Sequence, residues 1–328
     1  MSFARKPIAL AVALTMPAAF VASAHALADE TTTLPEVTVS APRDKAATPS
    51  TVLDADGLAT GRAATSDSAS LLRDIPGMSG YTGGGVSGLP VLNGLADDRL
   101  RIKIDGMDLI SACGNHMNPP LSYIDPTGVG SIKVFAGIVP VSVGGDSIGG
   151  AIQVESPAPE FAAPGQGLLT KGEVGAFYRS NGDAQGGNLA ATIASEKLNL
   201  SYRGSTTNAE DYKAGDSFKP AGLAAAGRDW LDGDEVGSTM YKSTNQSLAL
   251  AMRQDNHLLE LKLGVQDIPY QGWPNQRMDM TGNDSEQVNL RYEGEYDWGK
   301  LETRAYNEHT RHKMQFFDDK LYWYGSNT

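Results

Sequence analysis

The chain has 328 residues, a formal net charge of −12 and a single cysteine. The acidic balance argues against a nucleic-acid partner, and one cysteine excludes a disulfide framework or a zinc site built on several thiolates. A mean hydropathy of −0.28 excludes a bundle of membrane helices, so any membrane span must be built from strands.

Arg5 and Lys6 precede an uncharged apolar run from Ile8 to Val21, followed by Ala24-His25-Ala26 and Ala26-Leu27-Ala28. This is the pattern of a secretory signal peptide, assigned to residues 1–28. The apolar run is broken by Pro17 and falls short of the roughly 20 residues that a spanning helix needs. Residues 29–50 are polar and proline-containing, a flexible arm. Within the arm, Val37, Val39 and Ala41 alternate with polar residues, which predicts a short strand. Such a strand serves either as linker or as an added strand on another protein's sheet edge.

Residues 51–160 read as an α+β unit. A short helix is predicted at Ser68 to Leu72, and Leu100 to Ile104 alternates apolar and polar before a turn at Asp105-Gly106. Further strands are predicted at Val129 to Phe135 and Ala151 to Val154. Gly145-Asp146-Ser147-Ile148-Gly149 matches the nucleophile-elbow spacing. A strand rather than a helix follows it, so it is read as a turn and the chain as no enzyme.

From residue 167 to 328 the pattern changes to long alternating runs, near 168–179, 187–195, 197–207, 238–254, 257–267, 286–296 and 299–311. Long connections (208–237, 268–285) alternate with tight ones (195–197, 255–257, 297–300), as in an outer-membrane barrel. A secreted β-rich binding protein is the competing reading.

Several segments resemble the TonB-dependent outer-membrane receptors. Leu34-Pro35-Glu36-Val37-Thr38-Val39-Ser40-Ala41 looks like a TonB box. Leu71-Leu72-Arg73-Asp74-Ile75-Pro76-Gly77-Met78 looks like the first plug motif. Leu92 to Leu100 with Ile104-Asp105-Gly106 looks like the second, and Ser131 to Gly137 with Ser147 to Ile152 resembles the plug's end. The sequence departs from the family at Phe135-Ala136-Gly137-Ile138, where an arginine and a Gly-Pro are usual.

The resemblance implies an α+β plug domain (51–160) followed by the first strands of an antiparallel transmembrane β-barrel. A complete barrel of this kind has about 22 strands, and about seven fit into 167–328, so the chain is expected to be an N-terminal fragment of a longer receptor. TonB, contacting residues 34–39, and outer-membrane lipid are the implied partners.

Two residue pairs bear on the cargo. Cys113 and Met117 form a Cys-x-x-x-Met pair in the plug, and His312 and Met314 form a His-x-Met pair near the end of the last run. Residues two apart on a strand share a face. Singly, Cys113 reads as a small buried hydrophobe, Met117 as packing and His312 as a wall residue. Together, thiolate, thioethers and imidazole make a soft set suited to Cu(I). Asn115-His116-Met117-Asn118-Pro119-Pro120-Leu121-Ser122-Tyr123-Ile124-Asp125-Pro126 resembles the copper-binding OprC/NosA-type branch of the family. That resemblance implies Cys113, Met117, His312 and Met314 as copper ligands and no organic cofactor; His116, adjacent to Met117, is a candidate transient or supporting group. Met278 and Met280, read as lying in a long outer loop, are candidates for copper capture. A receptor for a siderophore, another metal chelate or cobalamin is the alternative within the family.

Overall fold

The computed structural model describes residues 50–81, 83–144, 147–223 and 230–320; the signal peptide and the TonB-box strand lie outside the described residues. Ser50–Leu53 forms a strand (β1), so the arm gives way to sheet at its last residue. The helix Ala55–Ala64 (α1) is capped by Asp54, whose carboxylate accepts from the Gly57 N–H at 3.0 Å. Only Leu58 of α1 is buried and two glycines interrupt it, so no apolar period announces it in the sequence. Ser68–Leu72 is a 3-10 turn rather than an α-helix. Buried Asp67 caps it, accepting from the Ala69, Ser70 and Gly88 N–H groups.

The next strands are Met78–Tyr81 (β2), Leu89–Leu92 (β3), Leu100–Ile104 (β4), Met107–Asp108 (β5), Ser131–Ala136 (β6) and Gly150–Glu155 (β7). β2 and β3 form a hairpin. The others join β1 in a five-stranded sheet of order β1-β6-β7-β4-β5, with β4 and β7 parallel. Asp105 and Gly106 have φ of 48° and 72°, the backbone of a tight hairpin turn between β4 and β5. The plug core is apolar: Leu72, Leu92, Leu121, Ile132 and Ile152 are at most 1% exposed. Burying each such side chain contributes about 1.5–3 kcal/mol.

Residues from 169 onward supply Leu169–Arg179 (β8), Ala184–Ala194 (β9) and Leu198–Ala209 (β10). Four two-residue strands follow, Tyr212–Lys213 (β11), Gly222–Leu223 (β12), Trp230–Leu231 (β13) and Glu235–Val236 (β14). Then come Tyr241–Gln254 (β15), His257–Gln271 (β16), Asp279–Tyr296 (β17) and Gly299–Gln315 (β18). The seven long strands form one antiparallel sheet of order β18-β17-β16-β15-β10-β9-β8. β16 and β17 run further than the pattern predicts. The connection expected over 268–285 shrinks to 272–278, because polar residues mask the alternation: Gln271 and Asn283 pair with the plug, and Asp279 with Trp273, Phe317 and Lys320.

The two faces of this sheet differ in chemistry. Ile193, Leu200, Leu250, Leu261 and Leu290 are register partners in one continuous outward row. The inward positions Asn199, Ser243, Gln266, Asn283, Ser285 and Asn289 are polar and buried against the plug. Apolar outside and polar inside is the arrangement a lipid-facing barrel wall requires. At the tight-turn end, Tyr296 and Trp298 stack with ring centroids 5.1 Å apart, where an aromatic girdle belongs.

Candidate metal centre

The plug loop after β5 closes on itself through Asn118, which is fully buried. Its Oδ1 accepts from the Cys113 N–H at 3.1 Å and from the Ser111 hydroxyl at 2.7 Å. The His116 N–H donates to the Cys113 carbonyl at 2.9 Å, and His116 itself sits at φ 52° to make the turn. The other end of the Asn118 amide reaches outward. Nδ2 donates to the Tyr123 hydroxyl at 3.0 Å and to Asn283 Oδ1 on β17 at 3.3 Å.

Asn283 is the wall's counterpart. It is fully buried and stands opposite His312 in the β17–β18 register. Its Oδ1 also lies 3.0 Å from His312 Nδ1. An amide oxygen can only accept, so Nδ1 carries the imidazole proton and Nε2 keeps its lone pair. His312 Nε2 is buried and has no hydrogen-bond partner. An imidazole anchored through one nitrogen with the other free is the geometry of a metal-ligating histidine.

The thioethers take different positions. Met117 is 3% exposed, yet it belongs to none of the three apolar clusters. Met314 shares the inward face with His312 and packs, half-buried, on the cluster of Val86, Ile268 and Met280. Cys113 is a half-buried free thiol. Among the described residues no three His, Cys, Asp or Glu side chains converge on a metal position.

Of the helper residues, His116 has its Nε2 4.0 Å from Asp98 Oδ2. Met278 is half-buried in the 272–278 connection. Met280 corrects the outer-loop reading: it lies in β17, fully buried, paired with Met314. Its neighbours are apolar, so it packs the wall beneath Met314 instead of facing the medium. The sequence reading missed Asn283, which fell inside the expected loop, and passed over the linking role of Asn118 although it lies in the quoted motif.

Burial pushes the Tyr123 hydroxyl up to about 12, so it stays protonated beside Asn118. A second contact between plug and wall lies nearer the tight-turn end. Burial would raise the Asp105 carboxyl, but the Lys262 ammonium at 2.8 Å and two donors from Ser156 outweigh it and hold it below the usual range. Asn289 Nδ2 donates to the Asp105 carbonyl at 3.0 Å, and Arg304 donates to the same oxygen. Glu155 is pushed up to about 6 by burial and by the charge of Asp105.

The family model of the TonB-dependent Receptor Plug Domain matches residues 42–151. No curated protein matches the sequence. Among solved structures, the chain is similar to the copper transporter OprC, with 25% identity, a TM-score of 0.66, and coverage of 81% of this chain and 38% of OprC. The hemophore receptor HasR of Serratia marcescens matches with 15% identity and TM-score 0.63, covering 81% of this chain and 38% of HasR. The FrpB iron transporter of Neisseria meningitidis matches with 17% identity and TM-score 0.61, covering 78% and 40%. The last two speak for the fold alone, and the chain spans about two fifths of the length of each relative. Residues 42–151 therefore match the plug domain of TonB-dependent receptors, a seven-stranded antiparallel sheet follows, and the chain is similar to OprC.

Proposed function

We propose that this chain forms the plug and part of the wall of an outer-membrane receptor that imports copper ions. Cys113, Met117, His312 and Met314 are the ligands in this reading, with His116, Met278 and Met280 outside the ligand set. The observation that carries it is His312: Nδ1 is fixed by Asn283, Nε2 is buried without a partner, and Asn283 also holds the loop bearing Cys113 and Met117. Soft sulfur and imidazole donors favour Cu(I), while zinc accepts thioether poorly. Residues 1–28 direct export, and Leu34 to Val39 pair as an added strand with TonB, whose energised pull loosens the plug.

The alternative cargo, a siderophore, another chelate or cobalamin, needs room between plug and wall. Gly83, Gly84 and Gly85 lie so close to Asn275, Gln271 and Tyr241 that a Cβ on any of them would fall 2.1–2.3 Å from those side chains. This close fit on the described side favours an ion-sized cargo. Anaerobic Cu(I) titration of the full-length receptor tests the reading. Cys113→Ala and Met314→Ala should each weaken binding by about tenfold or more. Parent-like affinity in both variants would sink the ligand set.

A further inference from the structure

Asp279 and Met280 are neighbours on β17 and so project to opposite faces of the wall. Met280 stands in register between Gln271 on β16 and Met314 on β18, within the cluster of Val86 and Ile268. Asp279 stands opposite Gln315, the residue after Met314, and is fully buried. Three segments fold over its carboxylate. Oδ1 accepts from the Trp273 N–H at 2.8 Å and from the Lys320 ammonium at 2.5 Å, and Oδ2 accepts from the Phe317 N–H at 3.1 Å. The Lys320 ammonium also donates to the Trp273 carbonyl at 2.7 Å. Before β15, the Ser238 hydroxyl lies 3.4 Å from Asp279 Oδ2 and donates to Asp319 at 2.6 Å.

This tie falls immediately after Met314, at Gln315 by register and at Phe317 and Lys320 by hydrogen bond. Strand ends otherwise fray, because little holds them. Lys320 is buried with Asp279, and either charge left alone there is heavily penalised, so the pair admits few arrangements of the chain around it. The two wall ligands differ in what can place them. His312 has a polar anchor in Asn283. Met314 carries only a weakly accepting sulfur on a side chain with three rotatable bonds. Its place is therefore set by its backbone and by what it packs on.

We propose that Asp279 is the positioning residue for Met314. Together with Lys320 it fixes where β18 ends and the chain turns back, and so holds the Met314 thioether over Met280 on the face it shares with His312. Asp279 touches no metal; it acts through the strand end that bears the ligand. The inference rests on the proposed copper site, but a separate result decides it.

Asp279→Asn keeps the shape of the side chain and removes the charge that Lys320 faces. In the purified full-length receptor it should lower Cu(I) affinity by about 10–100-fold. The copper X-ray absorption spectrum of the loaded variant should lose one sulfur neighbour, as that of Met314→Ala does. The double variant with Met314→Ala separates positioning from general loosening. If Asp279 acts through Met314, adding Asp279→Asn to Met314→Ala should change affinity by less than about twofold. A further large loss in the double variant overturns the proposal, and so does parent-like affinity in Asp279→Asn alone. Should Asp279→Asn fail to fold, Lys320→Met carries the same cycle with the same outcomes. A parent receptor that binds no Cu(I), or parent-like affinity in Met314→Ala, condemns the copper ligand set itself and this inference with it, a different result from either.

Discussion

Two of the contacts between plug and wall are built from opposite chemistry. Near the long connections the contact is a neutral amide relay, Asn118 to Asn283 to His312. Nearer the tight turns it is ionic, Asp105 with Lys262, reinforced by Asn289 and Arg304 on the Asp105 carbonyl. A neutral relay can hold a metal-binding imidazole in one tautomer without presenting a charge that competes for the ion. A buried ion pair is a poor cushion but a strict one, because either charge left alone is heavily penalised. In the proposed reading, the molecule thus separates the end that handles cargo from the ionic contact between plug and wall.

The largest perturbation should come from splitting the ionic end. Lys262→Met strands the Asp105 carboxylate in a buried site and should cost about 3–5 kcal/mol of plug–wall stability. Thermal unfolding of the purified receptor, with protease nicking of the plug as a second readout, measures it. Cu(I) affinity should stay within about twofold of the parent; a large loss there would abolish the division of labour. Asn283→Ala attacks the other end. It frees the His312 ring and the Asn118 amide, and Cu(I) affinity should fall by about 10–100-fold. Affinity equal to the parent would remove Asn283 from any supporting role.

The ionic end should also carry a pH signature. Glu155 has a folded pKa of about 6, raised above its ordinary value of 4.5. A raised carboxyl stabilises the fold when protonated. That contribution is complete below its unfolded pKa and is lost as pH rises through about 6, a difference of about 2 kcal/mol. Asp105 acts oppositely, since its lowered pKa supports the fold at neutral pH and is lost only in acid. Glu155→Gln should therefore raise the melting temperature at pH 7.5 and change little below pH of about 4.5. An equal shift at both pH values would rule out titration as the cause. The smallest effect should come from Arg73→Ala, in an exposed pair with Asp74 at 4.0 Å. A change above about 1 kcal/mol in the same melts would contradict its surface role.

Much of the scaffold was legible residue by residue. Leu100, Ile102 and Ile104 alternate and are buried in alternation. His312 and Met314 are two apart and share the inward face. What escaped has a physical pattern. Helix α1 buries one side chain, so it leaves no apolar period. The start of β17 carries Asn283 and Ser285 inward, polar residues buried on the face towards the plug. An alternation of polar with polar reads as a loop, and so Met280 was set in the medium when it belongs to the wall.

By itself, then, the sequence determined the order of plug and strands, the tight turns, and the soft side chains on offer, because propensity, period-two alternation and turn residues act over a few neighbours. Only the tertiary structure decided that Asn118 meets Asn283 and that Asp105 meets Lys262. Asn118 and Asn283 are 165 residues apart in the chain, and a hydrogen bond over that separation leaves no local mark. It exists because the plug's turn and the inner face of a twisted sheet come to the same depth, where each buried amide needs the other.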